Sequence, residues 1–299
     1  MQILMCVPNI SEGRDPGLVE KVANEIRKTP GVMILDCSSD QDHNRSVLTY
    51  LGEPQAVLAA TKAMAAKSLE LIDMTKHKGS HPRIGAVDVV PFVPIRGVET
   101  TQAREIARAA GKFFAGLGVP VYYYAAAGDK PERTTPSSVR QGQYEGLKER
   151  LKDPAWQPDE GPATFNPKSG AVAVGVRMPL IAFNVNLRTT DVSIADRIAK
   201  AVRNISGGYR YVRAMGLSLQ GQDMVQVSMD LDNYIKTPIP RVLETVRAEA
   251  ARYGVSVAGT EFIGPVPLGA LVNTANHYLQ SHDFKESQVI ESFLLDMMG

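Results

Sequence analysis

Val32-Met33-Ile34-Leu35-Asp36-Cys37-Ser38-Ser39-Asp40-Gln41-Asp42-His43-Asn44-Arg45-Ser46-Val47-Leu48-Thr49-Tyr50-Leu51 places two apolar runs, at about Val32–Cys37 and Ser46–Leu51, around a polar centre. Short runs rich in β-branched and aliphatic residues read as strands. On the N-terminal side, Asp15 can cap a helix with Pro16 in its first turn; Leu18, Val19, Val22 and Ile26 share one face, and Thr29-Pro30-Gly31 stops it. On the C-terminal side, Pro54 opens a helix expected to reach about Met74, with Val57, Leu58, Ala65, Leu69 and Ile72 in its apolar stripe. A strand at Ile3–Val7 precedes the first helix and one at Ile84–Val93 follows the second. The order is therefore βαββαβ, the split-βαβ arrangement. A helix near Thr101–Leu117 and a strand at Val119–Ala125 extend it.

From Gly128 to Gly170 the chain turns proline-rich, with one helix near Val139–Leu151, and a long irregular segment inside a folded protein is usually functional. Order resumes with strands at about Ala171–Val176 and Leu180–Leu187 and a helix near Asp191–Ile205. Strands at Val212–Leu219 and Met224–Leu231, a helix from Pro238 to Tyr253 and a strand at Val255–Ile263 complete a second βαββαβ, and two helical pieces follow. The expected fold is α/β (α+β) with two ferredoxin-like βαββαβ-type subdomains. At 299 residues the chain can form one large domain or two medium ones, and two subdomains are expected.

Hydrophobic residues make up 44% and charged residues 22%, an ordinary globular balance. Thirty-three Lys+Arg against 32 Asp+Glu give a net charge of +1, so no global field draws nucleic acid or an anionic membrane. Cys6 and Cys37 lie in apolar runs, where reduced thiols pack as small hydrophobes. With no leader-like N-terminus and no run near the ~20 apolar residues of a membrane span, a cytoplasmic protein is expected.

Chemistry concentrates in Thr75–Phe92, where His81 precedes Pro82 among Lys78, Arg83 and a buried-looking Asp88. Proline pushes His81 toward extended backbone. It reads either as a capping histidine or as an acid–base group. His77 and His81 have the spacing of helical zinc ligands, but Gly79, Ser80 and Pro82 oppose a helix, and no metal is expected. The Asp36–Ser46 segment fails as an EF-hand, lacking the turn glycine and the final glutamate. It is either a polar hairpin loop or a substrate-contacting loop in which Arg45 meets a carboxylate bidentately. Gly161-Pro162-Ala163-Thr164-Phe165-Asn166-Pro167-Lys168-Ser169-Gly170 suits clasping a flat heteroaromatic ligand and equally suits a linker. No dinucleotide fingerprint, P-loop or GxSxG elbow occurs.

Cys6-Val7-Pro8-Asn9-Ile10-Ser11-Glu12-Gly13, Asn44-Arg45-Ser46-Val47, Leu71 through Phe92, Gly161 through Gly170, and Ile181-Ala182-Phe183-Asn184-Val185-Asn186-Leu187 together resemble the glutamate formimidoyltransferase family. These folate-dependent transferases also form the N-terminal part of formimidoyltransferase-cyclodeaminases, and the cyclodeaminase part has no counterpart here. The resemblance implies two subdomains, 1–178 and 179–299, enclosing a folate-binding groove. It implies transfer of a formimidoyl group from N-formimidoyl-L-glutamate to N5 of tetrahydrofolate, with His81 catalytic and Gly161–Gly170 as the folate loop. Tetrahydrofolate is then a co-substrate, and a homodimer and a separate cyclodeaminase are the expected partners. Animal members carry a second acid two residues after the one matching Asp36, where Ser38 stands here; Asp40 or Asp42 can take its part. Asp88 is the other candidate partner for His81. Both substrates are polycarboxylates, which points to Arg45, Lys78, Arg83, Arg133, Lys168 and Arg177 as local cations. A formyl donor, or a folate-binding module without catalysis, are the rival readings.

Overall fold

Helix α1 (Pro16–Arg27) forms where its signals lie: Asp15 Oδ1 accepts the Leu18 N–H at 3.0 Å, Pro16 opens the first turn, and Val19, Val22, Ala23 and Ile26 are buried. In the computed structural model, which describes residues 1–219 and 221–297, the chain divides into two units, Met1–Arg177 and Met178–Gly299.

The first unit is built on one sheet of β1 (Ile3–Cys6), β2 (Asn9–Ile10), β3 (Val32–Asp40), β4 (Arg45–Gly52), β5 (Val87–Arg96), β6 (Val121–Ala125) and β7 (Val172–Val176). Strand β4 lies between β3 and the interrupted pair β1/β2, which in turn lies beside β5, all antiparallel. With α1 and α2 (Pro54–Leu71) as connections, this is the expected split βαβ. Helix α3 (Thr100–Gly116) then carries the chain from β5 to β6, and β7 inserts parallel between them. Leu4, Val22, Leu48, Met64, Phe92 and Phe114 belong to the core between the sheet and α1–α3. A smaller cluster around Ile84, Val89, Tyr122 and Tyr124 packs under α4 (Pro136–Val139) and α5 (Gln143–Arg150).

The second unit repeats the order with β8 (Ile181–Leu187), α6 (Val192–Val202), β9 (Val212–Ser218), β10 (Val225–Leu231), α7 (Ile239–Arg252) and β11 (Val257–Ile263), its sheet running β11-β8-β10-β9. Helices α8 (Leu268–Leu279) and α9 (Ile290–Met297) follow. No helix among the described residues is long and apolar enough to cross a membrane.

Four of the boundaries that differ from the sequence reading have a clear local cause. Strand β5 begins at Val87, not Ile84, because the Ile84 N–H goes to the Asp88 side chain and Gly85 makes only an isolated bridge to Gly170. Strand β3 continues to Asp40, since Ser38, Ser39 and Asp40 pair with Val47, Ser46 and Arg45 despite their polarity. Helix α2 stops at Leu71, as Ile72 is extended. The helix read near Val139–Leu151 is two pieces, separated where Gly142 takes φ 78°.

Candidate functional site

Residues 72–86, between α2 and β5, form a loop with no regular structure, so His81 stands on an anchored loop and not at a strand entry. Buried Ile72 and Met74 fix its start. Its middle is tied to the β3–β4 turn: Ser80 N and Oγ donate to the Asp42 carbonyl at 3.1 and 3.0 Å, and Asn44 Nδ2 donates to the Lys78 carbonyl at 3.0 Å. Asn44 is buried, takes φ 49° as asparagine tolerates, and its Oδ1 accepts the Gly13 N–H at 2.9 Å. Gly79 is required by close approach, because a Cβ there would stand 2.2 Å from the His43 carbonyl oxygen.

Ring tautomers follow from the donors facing them. Arg83 Nε reaches His77 Nδ1 at 3.1 Å, and a guanidinium only donates, so His77 carries its hydrogen on Nε2, which donates to the Asn44 carbonyl at 2.8 Å. Burial holds the His77 ring below the usual histidine value. His77 is thus a fixed, neutral strut. Arg45 Nη1 lies 2.8 Å from His81 Nε2, so that nitrogen accepts and Nδ1 carries the hydrogen. Burial first, then the charges of Arg45 and Arg140 and the neighbouring His43, push the His81 pKa down to about 3, with only a backbone hydrogen bond at Pro82 opposing them. His81 is a neutral imidazole with its basic nitrogen against a guanidinium.

The two proposed acids are placed differently from the sequence reading. Asp88, 1% exposed, accepts from Ile84 N at 2.9 Å through Oδ1 and from Arg140 Nε and Nη2 at 2.9 and 2.5 Å through Oδ2. Oδ1 thus serves the Ile84 backbone and Oδ2 the Arg140 ion pair, and neither is bonded to His81. Asp40 accepts the His43 N–H at 2.8 Å, which holds its carboxyl below the usual range, and lies 3.1 Å from His43 Nδ1. The His43 ring meets His81 edge-on at 5.7 Å, so Asp40 stands one ring removed.

Of the proposed carboxylate-binding cations, Arg45 is at the histidine and Lys78 is exposed, lining with His77, Gly142 and Gln143 an open depression of about 450 Å³. Arg83 is 6% exposed and binds Glu145 through two nitrogens at 2.6 and 2.8 Å, drawing that carboxyl below its usual range. Arg133, 1% exposed, donates to Asp159 at 2.6 Å and lies between the rings of Tyr122 and Trp156, 4.8 and 5.1 Å away. Both guanidiniums are buried and engaged in ion pairs. Arg177 follows β7 just beyond the Phe92–Val176 pair, beside the middle of β5, and its N–H donates to the Phe92 carbonyl at 3.1 Å.

The Gly161–Gly170 loop is fastened beside the histidine loop. Ala86 N donates to the Ser169 carbonyl at 2.8 Å, Met74 N to the Lys168 carbonyl at 2.9 Å, and Tyr144 Oη to the Pro167 carbonyl at 2.6 Å. Phe165 packs on Tyr144 at 5.5 Å, and Lys168 Nζ donates to the Glu70 carbonyl at 2.9 Å. Ser169 Oγ is buried with no hydrogen-bond partner among the described residues. Sequence reasoning missed His43 as a ring neighbour and Arg140 as the Asp88 partner; the first lay within the quoted hairpin, while nothing local marked the second.

Family models match the chain in two parts: the formiminotransferase domain, N-terminal subdomain, over residues 3–177, and the formiminotransferase domain over residues 182–297. The chain is similar to the glutamate formimidoyltransferase of Streptococcus pyogenes serotype M1, at 44% identity over 98% of this chain and 99% of that one. It is similar to that of Thermoplasma acidophilum at 43% identity, over 97% of each. The formimidoyltransferase-cyclodeaminase of Rattus norvegicus is 40% identical over 93% of this chain but only 52% of its own length.

Proposed function

The chain belongs to the formiminotransferase family, and from that premise we propose that His81 is the acid–base group of its reaction and Arg45 the receptor for a substrate carboxylate. The reaction is transfer of the formimidoyl group from N-formimidoyl-L-glutamate to tetrahydrofolate, giving 5-formimidoyltetrahydrofolate and glutamate. The observation carrying the proposal is the 2.8 Å contact between Arg45 Nη1 and His81 Nε2.

Attack of N5 on the amidine carbon forms a tetrahedral centre and leaves a proton on N5. The glutamate nitrogen needs a proton to depart. A neutral imidazole takes the first and returns the second, and such a group typically contributes about 10²–10⁴-fold. The His81 lone pair faces Arg45. A carboxylate engaging the Arg45 fork offsets its charge and draws it from Nε2, so the base is released as the donor substrate binds. Holding N5 against the amidine carbon supplies further acceleration.

The remaining assignments follow the same reading. Residues 1–178 form the subdomain with the histidine and the folate loop, and 179–299 the C-terminal subdomain. Gly161–Gly170 contacts the folate, supported by its bonds to the histidine loop and by the unpartnered Ser169 Oγ. Lys78 takes a second carboxylate. The enzyme works in the cytoplasm as a homodimer, for which edge strand β3 exposes Met33 and Leu35. The apolar run Val289–Met298 is a second candidate dimer contact, and its Met298 lies outside the described residues. Cyclodeamination falls to a separate chain. His81→Ala should abolish transfer at saturating formimidoylglutamate while circular dichroism and folate affinity stay near wild type; full turnover by that variant overturns the assignment.

A further inference from the structure

The tetrahedral centre of the transfer carries three nitrogens: N5, the departing glutamate nitrogen, and the formimidoyl nitrogen that travels with the carbon. His81 exchanges protons with the first two. The third is what separates a formimidoyl donor, which presents N–H at that place, from a formyl donor, which presents only an accepting oxygen. His43 is the side chain placed to read it. Its ring meets His81 edge-on with centroids 5.7 Å apart, and His43, Arg45, His81 and Ser11 line one narrow recess. The nitrogens of an amidine are about 2.3 Å apart, so an amidine with one nitrogen at His81 can bring the other to the second ring. His43 is exposed and therefore open to a small molecule. The bonds from Ser80 and Asn44 that join the hairpin turn to the histidine loop keep the two rings at this spacing.

Asp40 sets the chemistry of that ring. Its Oδ1 accepts the His43 N–H at 2.8 Å, which leaves Oδ2 facing His43 Nδ1 at 3.1 Å. A carboxylate oxygen only accepts, so in the neutral ring it favours the hydrogen on Nδ1 and leaves a lone pair on Nε2. We propose that His43 Nε2 accepts a hydrogen bond from the formimidoyl nitrogen of the donor and thereby selects formimidoyl over formyl transfer, with Asp40 as the positioning residue that fixes the tautomer. The proposal rests on the transfer at His81 of the preceding subsection. An amidinium N–H against that lone pair makes a charge-assisted hydrogen bond. A formyl oxygen there would set lone pair against lone pair and leave the acceptor unmatched. In this tautomer Nε2 has no proton to give, so the travelling nitrogen is not protonated there and glutamate, not ammonia, departs when the tetrahedral centre collapses. Asp88 takes no such part, its oxygens being committed to Ile84 and Arg140.

The test uses the full chain with saturating tetrahydrofolate at pH 8, and compares kcat/KM for N-formimidoyl-L-glutamate and N-formyl-L-glutamate. Wild type should prefer the formimidoyl donor by about 10- to 100-fold, the range set by leaving a polar group unmatched with the wrong substrate. In Asp40→Asn the amide oxygen can keep the His43 N–H, which turns the amide nitrogen toward Nδ1 and moves the ring hydrogen to Nε2. The two donors should then come within about threefold of each other, with formyl transfer faster than in wild type. His43→Ala removes the acceptor, so the preference should fall about tenfold through the formimidoyl donor alone, with circular dichroism verifying the fold. An unchanged preference in both variants overturns the assignment. So do equal losses on both donors, because a merely structural role in the hairpin would slow both alike. A wild type that transfers from neither donor would instead sink the reaction at His81.

Discussion

At His81 the protein holds an imidazole neutral in a place where a free one would be half charged near pH 6.5. Burial is the largest cause and Arg45 the first of the charges that add to it, so Arg45→Met should raise the His81 pKa, read from the ring-proton titration by NMR; an unmoved titration would separate the two residues. The same depression ties stability to pH. Native His81 binds no proton above about 3, whereas the unfolded chain begins to bind one near 6.5. Between those values the unfolded state holds more protons, so wild type loses stability as pH falls through the window, and the loss is absent above it. His81→Ala lacks this contribution. The difference in Tm, wild type minus variant, should therefore shrink between pH 7.5 and pH 5 in thermal unfolding, and a constant difference would contradict the depressed value.

The elements around that ring owe their placement to contacts far apart in sequence, which decides what a sequence can disclose. The βαββαβ order was legible because each helix and strand announces itself within its own span: Asp15-Pro16 at one start, Pro54 at another, and apolar runs between. His81 and Arg45 were legible as chemistry, though 36 residues apart, since each sits in a polar segment at the edge of an apolar one. The fates of the other cations were not. Arg83 finds Glu145 across 62 residues and Arg140 finds Asp88 across 52, pairings that no local pattern encodes. Arg133 is the sharpest instance, with its side chain fully buried against Asp159 and two rings. Arg133→Met should lower stability by about 3 kcal/mol in urea titration, as removal of one partner of a buried pair does, without raising either KM in the folded fraction. A selective rise in KM would restore it to substrate binding. Gly79→Ala acts on the histidine loop instead. A new Cβ 2.2 Å from the His43 carbonyl must move the loop off the hairpin, so kcat should fall at least tenfold with the global Tm little changed.

Across the whole molecule, each unit has a sheet and a buried core of its own, and 177 residues are enough for an independent fold. The groups that set His81 chemistry, Arg45, Arg140 and His43, all lie before Arg177, as do the struts His77, Asn44 and Gly79. Cutting the chain between Arg177 and Met178 therefore tests whether the first unit alone sets the environment of His81. A fragment of residues 1–177 should fold with near-native circular dichroism and keep the His81 titration depressed, because its loop is anchored within that unit and the charges of Arg45, Arg140 and His43 that add to its burial are retained. A fragment that folds with His81 returned to about pH 6.5 would place the cause of the depression outside residues 1–177.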